Sequence, residues 1–467
     1  MVHGKKAKMQ LHFVGIGGIG MSGIAEVFLR EGYRISGSDA AESDTTRRLQ
    51  ELGAKIHLGH AASHVQGSTV VVVSSAIKST NPEVIEASRL RIPIIPRAEM
   101  LGELMRGKTG IAVAGTHGKT STTSMLATIL TSAGLDPTLV IGGKVDLLGG
   151  NAKLGQGKYL VAEADESDGS FLHLPATYGI ITNIDSDHLD HFGNLAAIEN
   201  AFVDFVGKLP FYGIAAVCAE DPGVHRCLSR FKKPHKTYGF SDECQFAARS
   251  ITHVGMGMKF EVTHKSETTG LHERLGEIQL NIPGKHNVLN ALATIVISRE
   301  LGLSFEVIAA GLKEYHGVKR RFEIRWEEPS SQRAIVDDYG HHPTEVAATL
   351  SAARCFWPGR IIAIFQPHRY SRTLHCRDGF LSAFHHADVV LMTDVYAAGE
   401  DPIDGVHSSI LASDIKRVAL PHQEIHYVGD LPNACNKTMD YFRKGDLVIC
   451  LGAGSITRLP DQIIERL

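Results

Sequence analysis

The sequence carries little that would tie it to an oxidising compartment. Its 467 residues include seven cysteines, at 218, 227, 244, 355, 376, 435 and 450, with no CxxC pair among them. They read as buried or idle thiols of a reducing cytoplasm. No apolar window approaches the roughly 18 residues of a membrane span. The basic start, MVHGKKAKMQ, lacks the apolar core of a secretory leader. Membrane insertion is therefore not expected. Neither charge dominates: 48 Lys and Arg face 51 Asp and Glu, a net charge of −3. A near-neutral chain has no general electrostatic pull toward nucleic acid. Repeats and low-complexity tracts are also missing. What is present, 43% hydrophobic and 21% charged residues, describes a globular chain too long for one ordinary domain.

Short apolar runs alternate with helical patterns, which implies parallel strands with helical crossovers. LHFVGI, RISGSD, TVVVVSS and IPIIP read as strands, and 19–31, 44–52, 82–90 and 97–106 as helices. A second block opens at GIAVAG and the helix KTSTTSMLATILTSAG, and continues through YLVAEAD, YGIITNID and GIAAVCAED. Within it, 237–283 alternates polar and apolar residues, as an antiparallel excursion would. Helices follow at 287–301 and 305–315. The third block places AIVDDY, IIAIFQP, VVLMTDV, IHYVG and DLVICLGAG between helices that include 343–357 and 374–387. Domains are expected at 1–107, 108–325 and 326–467.

Two glycine loops stand out. GTHGKT lies between a buried-looking strand and a helix, the context of a triphosphate site. Gly115 and Gly118 would let the backbone close on phosphate oxygens, while the helix start offers free N–H groups. Thr116, His117 and Ser121 belong to the same wrap. Lys119 can reach the β and γ phosphates and Thr120 can hold Mg²⁺. The usual first glycine is replaced by Val113, so the loop is a shortened variant. Downstream, EADESD presents Glu163, Asp165, Glu166 and Asp168 at a strand end, where parallel sheets face their ligands. A carboxylate there suits Mg²⁺, and spacing does not say which acid serves. NIDSDHLDH adds Asn183, Asp185, Asp187, His188, Asp190 and His191 on the same rim. The other loop, GIGGIG (Gly15, Gly17, Gly18, Ile19, Gly20), follows a strand and opens a helix, with Asp39 ending the next strand. Its physics asks only for a pyrophosphate at a helix start, which NAD or a nucleotide sugar would supply equally.

Taken in order, GIGGIGMSGIAE, SSAI, GTHGKTSTT, EADESDGSF, NIDSDHLDHFG, GKHNVLNALA, GVKRRFE, DDYGHHPTE and FQPHRYSRT resemble the Mur ligases over essentially the whole chain. The likeness is greatest to the branch that joins L-alanine to UDP-N-acetylmuramate. The branch that joins a whole tripeptide to the same acceptor is the alternative. The resemblance implies an α/β protein of three domains. The first is Rossmann-like and binds the UDP-sugar. The second is a P-loop-type ATPase with a mostly parallel sheet and an antiparallel excursion. The third is Rossmann-like and receives the amino acid. It further implies a cytoplasmic monomer or homodimer acting in peptidoglycan synthesis. The lactyl carboxylate would attack the γ-phosphoryl of ATP to give an acyl phosphate and ADP. The alanine amine would then attack the acyl carbon, and a tetrahedral intermediate would expel phosphate.

The same resemblance assigns roles. Lys119 would neutralise charge on the γ-phosphoryl and Thr120 would hold one Mg²⁺. Glu163 and His188 would hold a second. His286, Asn287 and Asn290 would face the adenosine of ATP. Arg320 or Arg321 would reach its phosphates, and Asp338 would meet ATP from the third domain. Tyr339 and His341 would line the alanine pocket. His368, Arg369 and Arg372 would project to the cleft, with Arg372 or Arg369 holding the tetrahedral intermediate or the alanine carboxylate. Ser74, Ser75 and Asp39 would touch the UDP-sugar. Several relatives carry a carbamylated lysine on the helix after DHLD; here that position falls near Phe202, and the next lysine is Lys208.

Overall fold

The computed structural model describes residues 9–145 and 150–467. Three sheets organise them. In the first, β1 (Gln10–Val14), β2 (Arg34–Asp39), β3 (Lys55–Leu58), β4 (Val70–Val73) and β5 (Ile94–Pro96) lie in the order β3-β2-β1-β4-β5. All their pairings are parallel. The helices at Ile19–Arg30, Asp44–Glu51, Pro82–Arg89 and Arg97–Arg106 match the patterns read from sequence to within a residue at each end. Capping explains two of the starts. Ser43 forms a capping box with Thr46, and Asn81 accepts from Glu83 N–H with Pro82 behind it.

The second sheet has ten strands: β6 (Thr109–Ala114), β7 (Thr138–Val145), β8 (Gly150–Lys153), β9 (Tyr159–Glu163), β10 (Tyr178–Ile181), β11 (Ile214–Cys218), β12 (His235–Gly239), β13 (Phe246–Val254), β14 (Gly257–Lys265) and β15 (His272–Leu280). Their order is β15-β14-β13-β12-β11-β10-β6-β9-β7-β8. The run from β7 to β13 is parallel and β8 is antiparallel to β7. Gly255 and Met256 alone join β13 to β14, a turn short enough to impose the antiparallel excursion. That excursion starts later than its alternation implied. β12 overlaps the start of 237–283, yet it pairs in parallel with both neighbours, since a half-covered strand alternates whichever way its partners run.

The third sheet holds β16 (Glu323–Glu328), β17 (Arg333–Asp338), β18 (Ile361–Phe365), β19 (Val389–Thr393), β20 (Glu424–Gly429) and β21 (Leu447–Leu451), ordered β16-β17-β21-β18-β19-β20. Only the β16–β17 pairing is antiparallel. The helix expected over 374–387 is two shorter ones, Tyr370–His375 and Arg377–Ala383, interrupted at Cys376. The chain divides into two compact units, Met1–Arg249 with Glu261–Ile278 and Leu289–Tyr315, and Ser250–Phe260 with Gln279–Val288 and His316–Leu467. The expected boundary at 325 falls inside β16. Among the described residues no helix is long and apolar enough to cross a membrane, and the seven cysteines are free.

One polar feature of the first unit is buried. Glu83 has a fully covered side chain and lies against His12, His60, His64 and Ser38. Burial would raise its carboxyl, but His12 at 3.6 Å and hydrogen bonds from Ser38 and His64 more than reverse this, to about 2 from an ordinary 4.5. A depressed carboxyl contributes stability above its unfolded value and loses it as pH falls through the folded one. The difference is worth about 3 kcal/mol. Urea unfolding of the wild type and Glu83→Gln, compared between about pH 6 and pH 2, should show the wild-type advantage shrinking below pH 4.5. An advantage that stays constant across that range would contradict the assignment.

Candidate functional site

The phosphate loop is built by β6 and the helix Lys119–Ser132, with Gly118 as N-cap at φ 80. The loop is held by the end of β10. Thr182 Oγ1 donates to His117 O (2.6 Å), Asn183 Nδ2 donates to the same oxygen (3.0 Å), and His117 N–H returns to Asn183 Oδ1 (2.8 Å). Thr116 Oγ1 accepts from Asp185 N–H (3.0 Å), and His117 Nε2 lies 3.1 Å from Asp185 Oδ2. Gly115 and Gly118 leave room for nothing larger. A methyl at 115 would meet Thr182 Oγ1 at 1.9 Å, and one at 118 would meet Asn290 Oδ1 at 2.8 Å. The structure thus brings Asn290 to the loop.

Lys119 Nζ contacts both oxygens of Glu166 (2.9 and 2.7 Å) and donates to the carbonyls of Gly115 (2.6 Å) and Thr116 (3.2 Å). Glu166 is only 2% exposed. Burial lifts its carboxyl to about 7, against the pull of Lys119 and with a push from Asp165. Burial opposes the Lys119 charge too, yet Glu166, Asp165 and Glu163 outweigh it and leave the ammonium above its ordinary value. Among the four acids of the run, Glu166 is the one on the lysine. Glu163 ends β9 and accepts from Gly142 N–H (2.7 Å). Asp168 accepts from Ser170 N–H (3.0 Å). His188 sits in left-handed conformation (φ 54) with Nε2 4.0 Å from Glu166 and 3.7 Å from Asp187. Thr120 and Ser121 open the helix behind Lys119, with Ser121 buried. His191 Nε2 is 3.2 Å from the Cβ position of Gly169, the turn between the acid run and the next helix. Phe202 is core, packed on Phe171 at 5.3 Å, and Lys208 donates to Leu172 O (2.8 Å).

The glycine turn of the first sheet is set by β2. Ser38 O accepts from Gly15 N–H (2.8 Å) and Ile16 N–H (2.9 Å), Gly18 N–H donates to Gly15 O (3.2 Å), and Asp39 Oδ2 accepts from Gly17 N–H (2.8 Å). Asp39 therefore caps the turn. Ser74 and Ser75 follow β4, with Ser75 exposed. The side chains of Ile19 and Asp190 lie outside what is described. Arg97, which the sequence reading passed over, packs its stem on Gly20 and donates to Asp165 Oδ2 at 3.1 Å. One guanidinium thus connects the glycine-turn helix to the acid run of the phosphate site. Its only sequence signal is a basic residue at a helix start, where the dipole disfavours it.

In the second unit, Tyr339 lies under Arg320 and Arg321, whose guanidinium carbons are 4.9 and 5.0 Å from its ring centre. Arg320 Nη2 donates to Gly452 O (2.7 Å), and Arg321 Nη1 to Glu345 (3.4 Å). Asp338 is buried, which raises its carboxyl. It accepts from Phe322 N–H and Gly340 N–H, both at 2.8 Å, and so braces its own turn. His341 Nδ1 is 3.0 Å from Tyr339 O, and its ring meets His368 edge-on at 5.7 Å. His368 stacks on Tyr396 (5.6 Å). Burial, then Arg372 and Arg369, push its pKa down to about 4, so it is neutral at pH 7 and its Nδ1 accepts from Arg372 Nη1 (3.3 Å). Arg369 is left-handed (φ 68) with Nε 4.0 Å from Glu400. Tyr339, His341, His368 and Arg372 thus gather at the ends of β17 and β18. Tyr396 and Glu400, in a loop without periodicity, complete the group unannounced by sequence. His286 and Asn287 start the helix Lys285–Glu300; His286 is exposed and Asn287 donates to Pro283 O (2.7 Å).

Comparison with known proteins gives a consistent picture. Residues 10–109 match the Mur ligase family catalytic domain, 113–298 the Mur ligase middle domain, and 320–454 the Mur ligase glutamate ligase domain. The chain is 51% identical to UDP-N-acetylmuramate–L-alanine ligase of Geotalea daltonii, covering 98% of each. It is 52% identical to the protein of that name in Trichlorobacter lovleyi, over 98% of this chain and 99% of the other. The crystal structure of UDP-N-acetylmuramate–alanine ligase from Thermotoga maritima superposes with a TM-score of 0.82 at 31% identity, over 98% of this chain and 99% of the other. A murein peptide ligase from Psychrobacter arcticus gives 0.69 at 25% identity, over 98% of each chain.

Proposed function

The chain belongs to the Mur ligase family, and from that premise we propose that it joins L-alanine to the lactyl carboxylate of UDP-N-acetylmuramate, driven by ATP, in peptidoglycan precursor synthesis. The observation that carries the reading is full-length identity of 51–52% to ligases of that activity. It also gives both glycine loops work: one holds the diphosphate of the acceptor, the other the triphosphate that activates it. ATP and nucleotide sugars are cytoplasmic reagents, and we place the enzyme there. Its domains are taken as 1–107, 108 to the residue before β16, and β16 to 467.

A carboxylate is a poor electrophile because its leaving group would be oxide. Attack of its oxygen on the γ-phosphorus breaks the bond to ADP and leaves an acyl phosphate. The amine then adds to the acyl carbon, and the C–O bond to phosphate breaks. Positioning and charge neutralisation supply most of the rate. Lys119, released from Glu166, faces the γ-phosphoryl, and the loop from Gly115 to Gly118 follows the phosphate chain. Asn290, His286 and Asn287 serve the nucleoside side, and Arg320 or Arg321 the phosphates. Tyr339, His341 and Arg372 receive the amino acid and the intermediate. Thr120 and Glu163 offer oxygen donors that fit Mg²⁺, with His188 the third donor of a two-ion site. Bound there, Mg²⁺ would neutralise phosphate charge. Gly15, Gly17, Gly18, Ile19, Gly20, Ser74 and Ser75 line the nucleotide-sugar turn, and Asp39 orders it.

The test is phosphate release by purified protein with UDP-N-acetylmuramate, L-alanine and Mg-ATP. Release should need all three, and L-alanine should far outperform the tripeptide L-alanyl-γ-D-glutamyl-meso-diaminopimelate. Rapid release without an amine would make the protein a plain ATPase. Preference for the tripeptide would assign it to the recycling branch.

A further inference from the structure

The buried Glu83 is connected to the glycine turn through one residue. Its Oε2 accepts from Ser38 Oγ (2.6 Å) and lies 3.1 Å from His60 Nδ1, while His64 Nδ1 approaches Oε1 at 2.7 Å. His12 Nε2, fully buried, has no hydrogen-bond partner among the described residues and points to Oε1 at 3.6 Å. Its other nitrogen is 2.9 Å from Ser36 Oγ. Five segments thus converge on one carboxylate: β1, β2, the loop after β3, the 3₁₀ turn Ala62–Val65 and the helix Pro82–Arg89. Ser38 is the joint. Its hydroxyl is fixed by Glu83, and its carbonyl fixes the amides of Gly15 and Ile16. The same strand is pressed on the turn, for a methyl on Gly37 would meet Ile16 at 2.6 Å. A buried ion with several polar neighbours is a poor device for stability alone, because apolar packing of similar volume serves as well or better. Its cost is understandable if it sets a geometry.

We propose that Glu83 is a positioning residue of the nucleotide-sugar site, holding Ser38 so that the glycine turn keeps the shape that aims the start of the following helix at the diphosphate. The inference rests on the reading that this turn binds UDP-N-acetylmuramate. Steady-state kinetics of Glu83→Gln and Ser38→Ala test it. Each should raise KM for UDP-N-acetylmuramate by roughly 10-fold or more, the loss of a hydrogen bond to a charged group. kcat and the KM values for ATP and L-alanine should stay within about twofold. The double variant should be no worse than Glu83→Gln alone, since both act through one contact. Val72→Ala, a cavity in the same sheet, should lower Tm without moving the sugar KM. Ser38→Ala keeps the carboxylate among its imidazoles and carries the test if Glu83→Gln folds poorly. Unchanged sugar KM in Ser38→Ala, or an equal rise in KM for ATP, would overturn the proposal. Calorimetric titration of the wild type with UDP-N-acetylmuramate separates the two levels. No binding there defeats the functional reading, whereas normal binding with an unchanged variant defeats only the positioning role.

Discussion

Lys119→Ala is expected to lower kcat by at least ~10²–10³, the usual loss when one preorganised charge is removed from a developing anion. The structure adds a complication with a use. Lys119 is the ammonium beside Glu166, so the substitution leaves a nearly inaccessible carboxylate without its partner. Removing one member of such a pair costs about 3–5 kcal/mol, so a lower Tm would accompany the lost turnover and confuse its meaning. Lys119→Ala combined with Glu166→Gln removes both charges. It should recover most of the Tm and none of the rate. Recovery of turnover in the double variant would mean that the lysine serves the fold and not the γ-phosphoryl.

Gly115→Ala is expected to cost at least ~10² in kcat/KM for ATP, the scale of a misplacement near 1 Å in a catalytic loop. Two effects act together. At φ 132 an L side chain is strained whatever the space, and its methyl would lie 1.9 Å from Thr182 Oγ1. Thr182 cannot yield freely, because that hydroxyl holds His117 O at 2.6 Å. Alanine therefore displaces the carbonyl that shapes the phosphate wrap. In a Thr182→Ala background the steric part is relieved, so the same substitution should do less harm there. Wild-type turnover in Gly115→Ala would show that the loop does not close on phosphate as described.

Much of this was legible in the chain. GTHGKT follows a strand whose residues are all apolar or small and opens a helix with a Lys-Thr pair, and that context fixes its place. The helices of the first sheet were legible because caps and punctuation, such as Asn81-Pro82, mark their starts. Glu166 was not distinguishable from Asp165 or Asp168, because periodicity ends with β9 and a turn obeys none. β3, four residues of mixed polarity, gave no apolar run. β16, EIRWEE, gave no apolar run either, since an edge strand with one covered face carries charges along its length. The Glu83 group was invisible for another reason: its members come from five segments, and only the folded sheet brings them together.

The central claim is that the acid of the sugar nucleotide, not water, attacks the terminal phosphorus of ATP. Turnover of UDP-N-acetylmuramate labelled with ¹⁸O in both carboxylate oxygens tests it directly. The account predicts one labelled oxygen in each phosphate released, with the other retained in the amide. Unlabelled phosphate, with amide still formed, would contradict it.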